Sequence, residues 1–343
     1  MTSPAVAATV VICVYTEKRW DDIVDAVDSV AAQDVRAAET IVLVDHNAAL
    51  LSRALEAFGP RGVRVLPNVH KQGLSGARNT AIAEAIGDVV VFLDDDAAAR
   101  PGWLAALLEP YSDPTVAAVG GVAHPRWPVR RSTAGARIDT RPVVLPGAAP
   151  ADGDATGELD WIVGCTYTGQ PTEQAEVRNL MGCNMSFRRE VFDRIGGFAE
   201  DIGRIGKNPL GCEETELCIR ARQAYAAAGE KIRIVFEPRA AIDHRVSEDR
   251  VGWSYLRRRA WAEGLSKAAV SKLVGSDDAL ATERNYAARI LPTAVLRELK
   301  RKCPASAAAV VVALGCTSAG YLRGKLPGAT AGVRLPAAAN QGV

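Results

Sequence analysis

The pattern of apolar and polar positions predicts alternating strands and helices over the first hundred residues. Short apolar runs rich in β-branched residues, each bounded by polar loops, lie at 8–15, 40–45, 63–66 and 88–93. The segments between them have a helical period, and along 20–30 the apolar residues recur at spacings of three and four. Because runs such as VVVFL are apolar on both faces, they predict strands covered by helices on both sides.

The remainder of the chain is predicted to be irregular at first and then mostly helical. A stretch at 124–156 is rich in Pro, Gly and Ala and is interpreted as an irregular or mobile insertion. A helix is expected at 213–228 and a strand at 231–236. Further helices are expected at 250–273, 283–302 and 305–322. The predicted fold class is α/β, with a doubly wound, mostly parallel sheet and a C-terminal helical extension.

Charge and cysteine content narrow the class of protein. Lys and Arg number 41 against 40 Asp and Glu, so the chain has no basic field for nucleic acid, and no nucleic-acid partner is expected. The seven cysteines are scattered without a C-x-x-C pair, which favours reduced thiols and a cytoplasmic protein. The apolar segment 305–322 is interpreted as a packed helix, and peripheral contact with the inner face of a membrane is its alternative.

Three adjacent carboxylates follow the predicted strand at 88–93. Asp94, Asp95 and Asp96 repel one another unless a cation lies among them, and oxygen ligands suit Mg²⁺ or Mn²⁺. The alternative is an acidic cluster that stabilises the start of a following helix. Both interpretations fit the local sequence.

A second carboxylate, Asp45, ends the strand at 40–45 and is expected at the same sheet edge. It suits a hydrogen bond to a base or ribose, and equally a turn cap. The segment 68–79 has glycines near a helix start with Lys71 and Arg78 close by, which suits an anionic ligand.

Later in the chain, GCEETEL opens the predicted helix at 213–228 with three glutamates. They either stabilise the first helical turn or supply a general base. His244 follows a late strand, where a structural histidine and a metal ligand are the two interpretations.

Five blocks, in order, resemble the family 2 glycosyltransferases, which have the GT-A fold. They are VVICVYTEKR, IVLVDHN, GLSGARNTAIAEAIGDVVVFLDDDA, GCNMSFRREVFDRIGGF and GCEETELCIR. The resemblance covers about two thirds of the chain. It implies a catalytic domain over 1–247, divided into a nucleotide-binding half, 1–123, and an acceptor and catalytic half, 124–247. The helical extension is then 248–343.

The resemblance also implies roles for residues of the donor and metal sites. Tyr15, Thr16 and Glu17 are expected to line the nucleotide pocket. The residues implied to contact the base, ribose or diphosphate are Asp45, Arg78, Asp94 and Asp95. Asp96 and His244 are implied to hold Mn²⁺ or Mg²⁺.

The base and the acceptor pocket are implied in the same way. Most relatives have Glu-Asp in the last block, with Asp as the base, whereas this chain has Glu213-Glu214. Glu214 aligns with the base and is favoured, while Glu213 is assigned to the acceptor side. The other residues expected around the acceptor are Trp161, Arg178, Asn179 and Asn184.

The function expected from these features is a metal-dependent, inverting transfer of one sugar from a nucleotide sugar, UDP being favoured over dTDP or GDP. The acceptor is a hydroxyl group of a carbohydrate, a lipid-linked compound or a small molecule, and a homodimer is left open. The motif Q-x-x-R-W of processive members is absent, which favours single addition. The alternatives are a sugar-nucleotide pyrophosphorylase and a non-catalytic nucleotide-sugar-binding scaffold.

Overall fold

The computed structural model of the protein describes residues 6–131, 137–139, 156–204 and 210–327. The strands are β1 Ala8–Val14, β2 Glu39–Val44, β3 Arg64–Pro67, β4 Val89–Asp94, β5 Ala97–Ala99, β6 Val116–Arg126, β7 Val129–Arg131, β8 Arg137–Asp139, β9 Ala175–Glu176, β10 Asn184–Arg188 and β11 Arg233–Arg245. The helices are α1 Trp20–Ala31, α2 Ala48–Phe58, α3 Leu74–Glu84, α4 Trp103–Leu108, α5 Arg189–Ile195, α6 Glu213–Ala227, α7 Trp253–Val274, α8 Ser276–Asn285, α9 Leu291–Lys300 and α10 Pro304–Lys325.

The main sheet has the strand order β3-β2-β1-β4-β10-β6-β11-β5, with β9 beside β11. The first four strands are parallel, as expected from the alternation of strands and helices. The second half differs from the mostly parallel prediction, because β10 pairs antiparallel with both β4 and β6. Apolar periodicity identifies a strand but carries no information on its direction. The sheet is therefore mixed.

The predicted elements of the first half are confirmed, and two later ones have different bounds. The strand expected at 231–236 extends over Arg233–Arg245. The single helix expected at 283–302 is divided, because one π-helical turn, Tyr286–Ile290, separates α8 from α9. Pro292 has no amide hydrogen to donate to the preceding turn, which accounts for the interruption at this point. Most of the predicted insertion at 124–156 lies outside the described residues.

The chain forms two compact units. One falls within 1–122 and 171–242, and the other within 123–170 and 243–331. The core of the first contains four mutually packed phenylalanines of β4, β10 and the chain around α5, namely Phe92, Phe187, Phe192 and Phe198. The core of the second is formed largely by small and aliphatic residues of α7, α9 and α10. The predicted division at residue 247 stays a prediction.

Helices α7 and α10 of the second unit pack with their backbones in close contact. A Cβ added at Gly320 would overlap the carbonyl oxygen of Trp261, and one at Gly264 would overlap the carbonyl oxygen of Thr317. Gly315 is on the same helix α10 and has open space around its Cα. Glycine is therefore required by packing at two of these three positions.

Alanine at Gly320 and alanine at Gly315 are expected to change stability in opposite directions. Gly320→Ala should lower the free energy of unfolding by about 1–3 kcal/mol, because the helices must separate to admit the methyl group. Gly315→Ala should raise it by about 0.5–1 kcal/mol, because alanine is the better helix former. Thermal and urea unfolding of both variants checks this. Equal shifts would contradict the close packing of α10 on α7.

Candidate active site

The carboxyl end of β4 presents the three aspartates that the sequence analysis singled out. Strand β4 is buried along VVVFL, and Asp94 is its last residue. Asp95 and Asp96 follow directly and are also buried, with 4% and 8% of their surfaces exposed. Arg19 Nη1 lies 2.6 Å from Asp95 Oδ1 and 3.1 Å from Asp96 Oδ2. The sequence offered no reason to assign Arg19 to the site, because nothing in it indicates that Arg19 lies beside Asp95, which is 76 positions later.

The electrostatics of this cluster favour a bound cation. The pKa of Asp95 is raised to about 7, mainly by burial and also by the negative charges of Asp96 and Asp94, while Arg19 opposes the increase. Asp95 Oδ2 is buried and has no hydrogen-bond partner within the described residues. Arg19 therefore leaves Asp95 Oδ2 without a hydrogen bond in a cluster of three adjacent acids. Carboxylate oxygens are ligands that suit Mg²⁺ or Mn²⁺.

The loop after β1 contains the residues predicted to line the nucleotide pocket. Thr16 begins a 3₁₀ turn, Glu17–Arg19, and its hydroxyl accepts a hydrogen bond from the Lys18 amide. Tyr15 is exposed, and the Arg19 guanidinium lies 5.4 Å from the centre of its ring. Arg19 thus connects this loop to the aspartates at the end of β4. Burial opposes the charged form of Arg19, but Asp95 and Asp96 outweigh it and raise the pKa of the guanidinium.

Asp45 holds the loop that leads into α3. Its Oδ1 accepts a hydrogen bond from Asn68 Nδ2 at 2.7 Å, and its Oδ2 accepts one from the Gly73 amide at 3.0 Å. The φ angle of Gly73 is 131°, a value that side chains disfavour, so glycine suits this helix start. The structure therefore gives Asp45 a loop-anchoring role, close to the turn-cap interpretation. Contact with a nucleotide base stays a prediction.

Arg78, on α3, is a buried arginine that contacts acids of β4 and α6. It is 1% exposed and lies over the rings of Phe92 and Phe198. Its guanidinium donates to Glu213 Oε1 and to the Gly182 carbonyl oxygen, both at 2.8 Å, and lies 3.5 Å from Asp94 Oδ1. Arg78 was predicted at the base or diphosphate. That contact stays a prediction, and within the protein Arg78 connects β4 to the start of α6.

The three glutamates at the start of α6 have different partners. Glu213 is buried and pairs with Arg78. Glu216 is fully buried and pairs with Arg220 at 2.6 Å, one helical turn later on α6. Glu214 is partly exposed, receives a hydrogen bond from the hydroxyl of Thr215, and has its Oε2 near Gly182. Of the three, Glu214 is the one whose side chain is partly exposed to solvent.

The residues predicted for the acceptor pocket lie in different environments. Asn184 is fully buried: it accepts a hydrogen bond from Trp103 Nε1 and donates to the carbonyl oxygens of Val122 and Ala240. These bonds hold strands together, and we leave Asn184 out of the proposed acceptor site. Arg178 and Asn179 are partly exposed and hydrogen-bonded to each other at 2.9 Å.

Two predicted site residues belong to the second unit. His244 is 3% exposed, and its Nδ1 lies 3.6 Å from Cys165 Sγ. Trp161 lies in the 3₁₀ turn Asp160–Val163 and packs, partly buried, against the core of this unit. The role of His244 as a metal ligand stays a prediction.

Comparison with known proteins identifies the family. The profile of Glycosyl transferase family 2 matches residues 9–196. Glucosyl-dolichyl phosphate glucuronosyltransferase of Haloferax volcanii is 32% identical over 274 residues, which are 79% of this chain and 80% of that relative. The chain therefore belongs to glycosyl transferase family 2, as the five sequence blocks indicated, and it is a glycosyltransferase.

Solved structures confirm the GT-A fold. Mannosyltransferase PcManGT from Pyrobaculum calidifontis, in complex with GDP-Man and Mn²⁺, aligns with a TM-score of 0.55 at 18% identity and covers 92% of this chain and 88% of that one. GalNAc-T7 with UDP, GalNAc and Mn²⁺ aligns with a TM-score of 0.51 at 17% identity. That alignment covers 82% of this chain but 54% of the other, so this chain spans about half of the solved relative.

Proposed function

We propose that this glycosyltransferase moves one sugar from a nucleotide sugar to an acceptor hydroxyl with inversion, and that Glu214 is the general base. The observation that carries the proposal is the contrast among the glutamates of α6. Glu213 and Glu216 are buried, with 3% and 0% of their surfaces exposed. Glu214 keeps a partly exposed carboxylate, which a base needs in order to accept a proton from an acceptor.

We further propose that Asp94, Asp96 and His244 bind Mn²⁺ or Mg²⁺. Two carboxylates and one imidazole each offer one ligand atom of a type that these ions accept. The unsatisfied Asp95 Oδ2 and the raised pKa of Asp95 also support a cation at the end of β4. A divalent cation bound there neutralises the negative charge that develops on the leaving diphosphate.

Arg19, Arg78 and Glu214 have distinct roles in the proposed reaction. Arg19 holds the loop after β1 against Asp95 and Asp96, and this fixes the part of the nucleotide pocket that contains Tyr15, Thr16 and Glu17. Arg78 fixes Glu213, the neighbour of the base, relative to β4. Glu214 removes the proton from the acceptor hydroxyl as its oxygen attacks the anomeric carbon from the face opposite the diphosphate. A single displacement of this kind inverts the configuration.

The proposed donor is a UDP-sugar, ahead of dTDP- and GDP-sugars, and the proposed acceptor is lipid-linked. The two structural neighbours contain UDP and GDP-Man respectively, so they support a nucleotide donor without selecting the base. The Haloferax relative is named for a glucosyl-dolichyl phosphate, which is a lipid-linked sugar. Arg178 and Asn179 supply partly exposed polar groups for the acceptor side.

Calorimetric titration of the protein with UDP, dTDP and GDP, each with Mn²⁺ and with EDTA, tests this function. We expect Mn²⁺-dependent binding of UDP, with a much weaker response to the other two. Subsequent turnover of a UDP-sugar with an acceptor separates a transferase from a non-catalytic scaffold. Absence of binding by all three nucleotides under both conditions would overturn the proposal, and synthesis of a nucleotide sugar from a sugar phosphate would support the pyrophosphorylase instead.

A further inference from the structure

The last two helices of the chain expose large apolar side chains. On α9, Leu296 and Leu299 are 60% and 53% exposed. On α10, the corresponding residues are Val311, Leu314 and Leu322, at 59%, 40% and 67%. Both helices bury other residues, such as Ala294 and Val310, in the same cluster of the second unit. The five exposed side chains therefore lie on outward faces, and together they are called the apolar surface below.

The charge of this region differs from that of the rest of the chain. Residues 286–326 contain seven Lys and Arg against a single acid, whereas the rest contains 34 against 39. That acid, Glu298, is buried and is paired with Arg297. The cations Lys300, Arg301 and Lys302 follow the apolar residues of α9 and are exposed, as are Arg323 and Lys325 at the end of α10. Within 286–326 the exposed charges are therefore all positive, and the exposed acids Asp277 and Asp278 follow Ser276, which accepts a hydrogen bond from Lys325 at the end of α10.

Helix α10 is long and apolar enough to cross a membrane, and one third of its most apolar stretch is buried. Its glycines, however, hold it against α7 in backbone contact. Helix α7 contains Arg257, Arg258 and Arg259 and is therefore poorly suited to lie in hydrocarbon. A position on the membrane surface keeps the α7 contact, whereas a spanning position would remove it.

We propose that α9 and α10 dock this enzyme on an anionic lipid surface, with the apolar surface among the acyl chains and the lysines and arginines at the head groups. Apolar residues flanked by exposed cations are the combination that binds such a surface. The charge complementarity argues for anionic lipid over a second copy of this chain, since two copies of this basic face would repel each other. Docking would bring the enzyme to the layer that holds a lipid-linked acceptor, a consequence that rests on the proposed function.

Vesicle sedimentation with the full chain tests the docking. The probes are phosphatidylcholine vesicles with and without about 30% phosphatidylglycerol, at low and high salt. We expect binding to the anionic vesicles that weakens as the salt concentration rises. The double variant Lys300→Gln/Lys302→Gln should bind about 25-fold less tightly, at about fivefold per cation. Leu296→Gln/Leu299→Gln should lose at least about tenfold, because two side chains no longer enter the acyl region.

Matched controls separate docking from a general loss of charge or hydrophobicity. Leu55→Gln, at an exposed position of α2, and Lys231→Gln, at an exposed position before β11, should bind as the unaltered protein does. Equal binding to neutral and anionic vesicles, resistance to extraction with alkaline carbonate, or a leucine-dependent dimer without vesicle binding would each overturn the proposal. Mn²⁺-dependent nucleotide binding, measured on the same samples, reports on the proposed function separately.

Discussion

Glu214→Gln is expected to reduce sugar transfer by about a hundred- to ten-thousandfold and to leave Mn²⁺-dependent nucleotide binding unchanged. Glutamine keeps the size of the side chain but cannot accept the acceptor's proton. Because Glu214 is partly exposed and glutamine has nearly the same size, the substitution should change the thermal stability much less than it changes the transfer rate. Single-turnover rates and calorimetry on the same preparation measure the two effects.

The neighbouring glutamate provides the matched control. Glu213→Gln removes a negative charge that Arg78 contacts at 2.8 Å in a buried position, so its main effect should be on stability. We expect a lower melting temperature for Glu213→Gln, with activity retained in the folded fraction. If folded Glu213→Gln is inactive while Glu214→Gln transfers sugar at the normal rate, the base has been assigned to the wrong residue.

Asp96→Ala is expected to weaken Mn²⁺-dependent nucleotide binding by more than about a hundredfold. Even residues that only orient a metal ligand typically contribute ten- to a hundredfold to affinity, and Asp96 is proposed to contact the ion directly. The melting temperature of the metal-free variant should not fall much, because the change also removes one of two adjacent buried acids. Calorimetric titration with nucleotide, with and without Mn²⁺, measures the effect.

Asp193→Ala is a suitable control for this variant, because Asp193 is an exposed aspartate on α5. Its nucleotide affinity should equal that of the unaltered protein with and without Mn²⁺. Nucleotide affinity that is the same for Asp96→Ala and Asp193→Ala would show that Asp96 does not hold the metal. Loss of binding by both variants would indicate a general effect of charge instead.

Local sequence patterns were sufficient for the elements that position the site. The short run VVVFL, rich in β-branched residues, is typical of a strand covered on both faces, so β4 and the position of Asp94 at its end were predictable. The spacing of apolar residues along 20–30 predicted α1, which buries Ile23, Val27 and Val30. The five ordered blocks identified the family, because their combination is far more specific than any one of them.

The direction of β10 and the division of the helix at 283–302 were not predictable in the same way. Strand direction depends on which neighbours a segment meets in the sheet, and β10 lies between β4 and β6. From the sequence, Asn184 was expected to bind the acceptor substrate. It is instead fully buried and forms hydrogen bonds with groups 56–81 positions away. In the sequence alone, a polar residue that forms hydrogen bonds within the core looks the same as one that binds a ligand.

The sequence by itself determined the strands, most of the helices, the family and the set of carboxylates from which the site is built. Only the tertiary structure decided which of those carboxylates are neutralised: Arg78 reaches Glu213 across 135 positions and Arg19 reaches Asp95 across 76. The spacing of apolar residues shows which face of a segment is buried, and it depends on that segment alone. The charge state and accessibility of a side chain depend on its neighbours in space, which are set only when the segments pack.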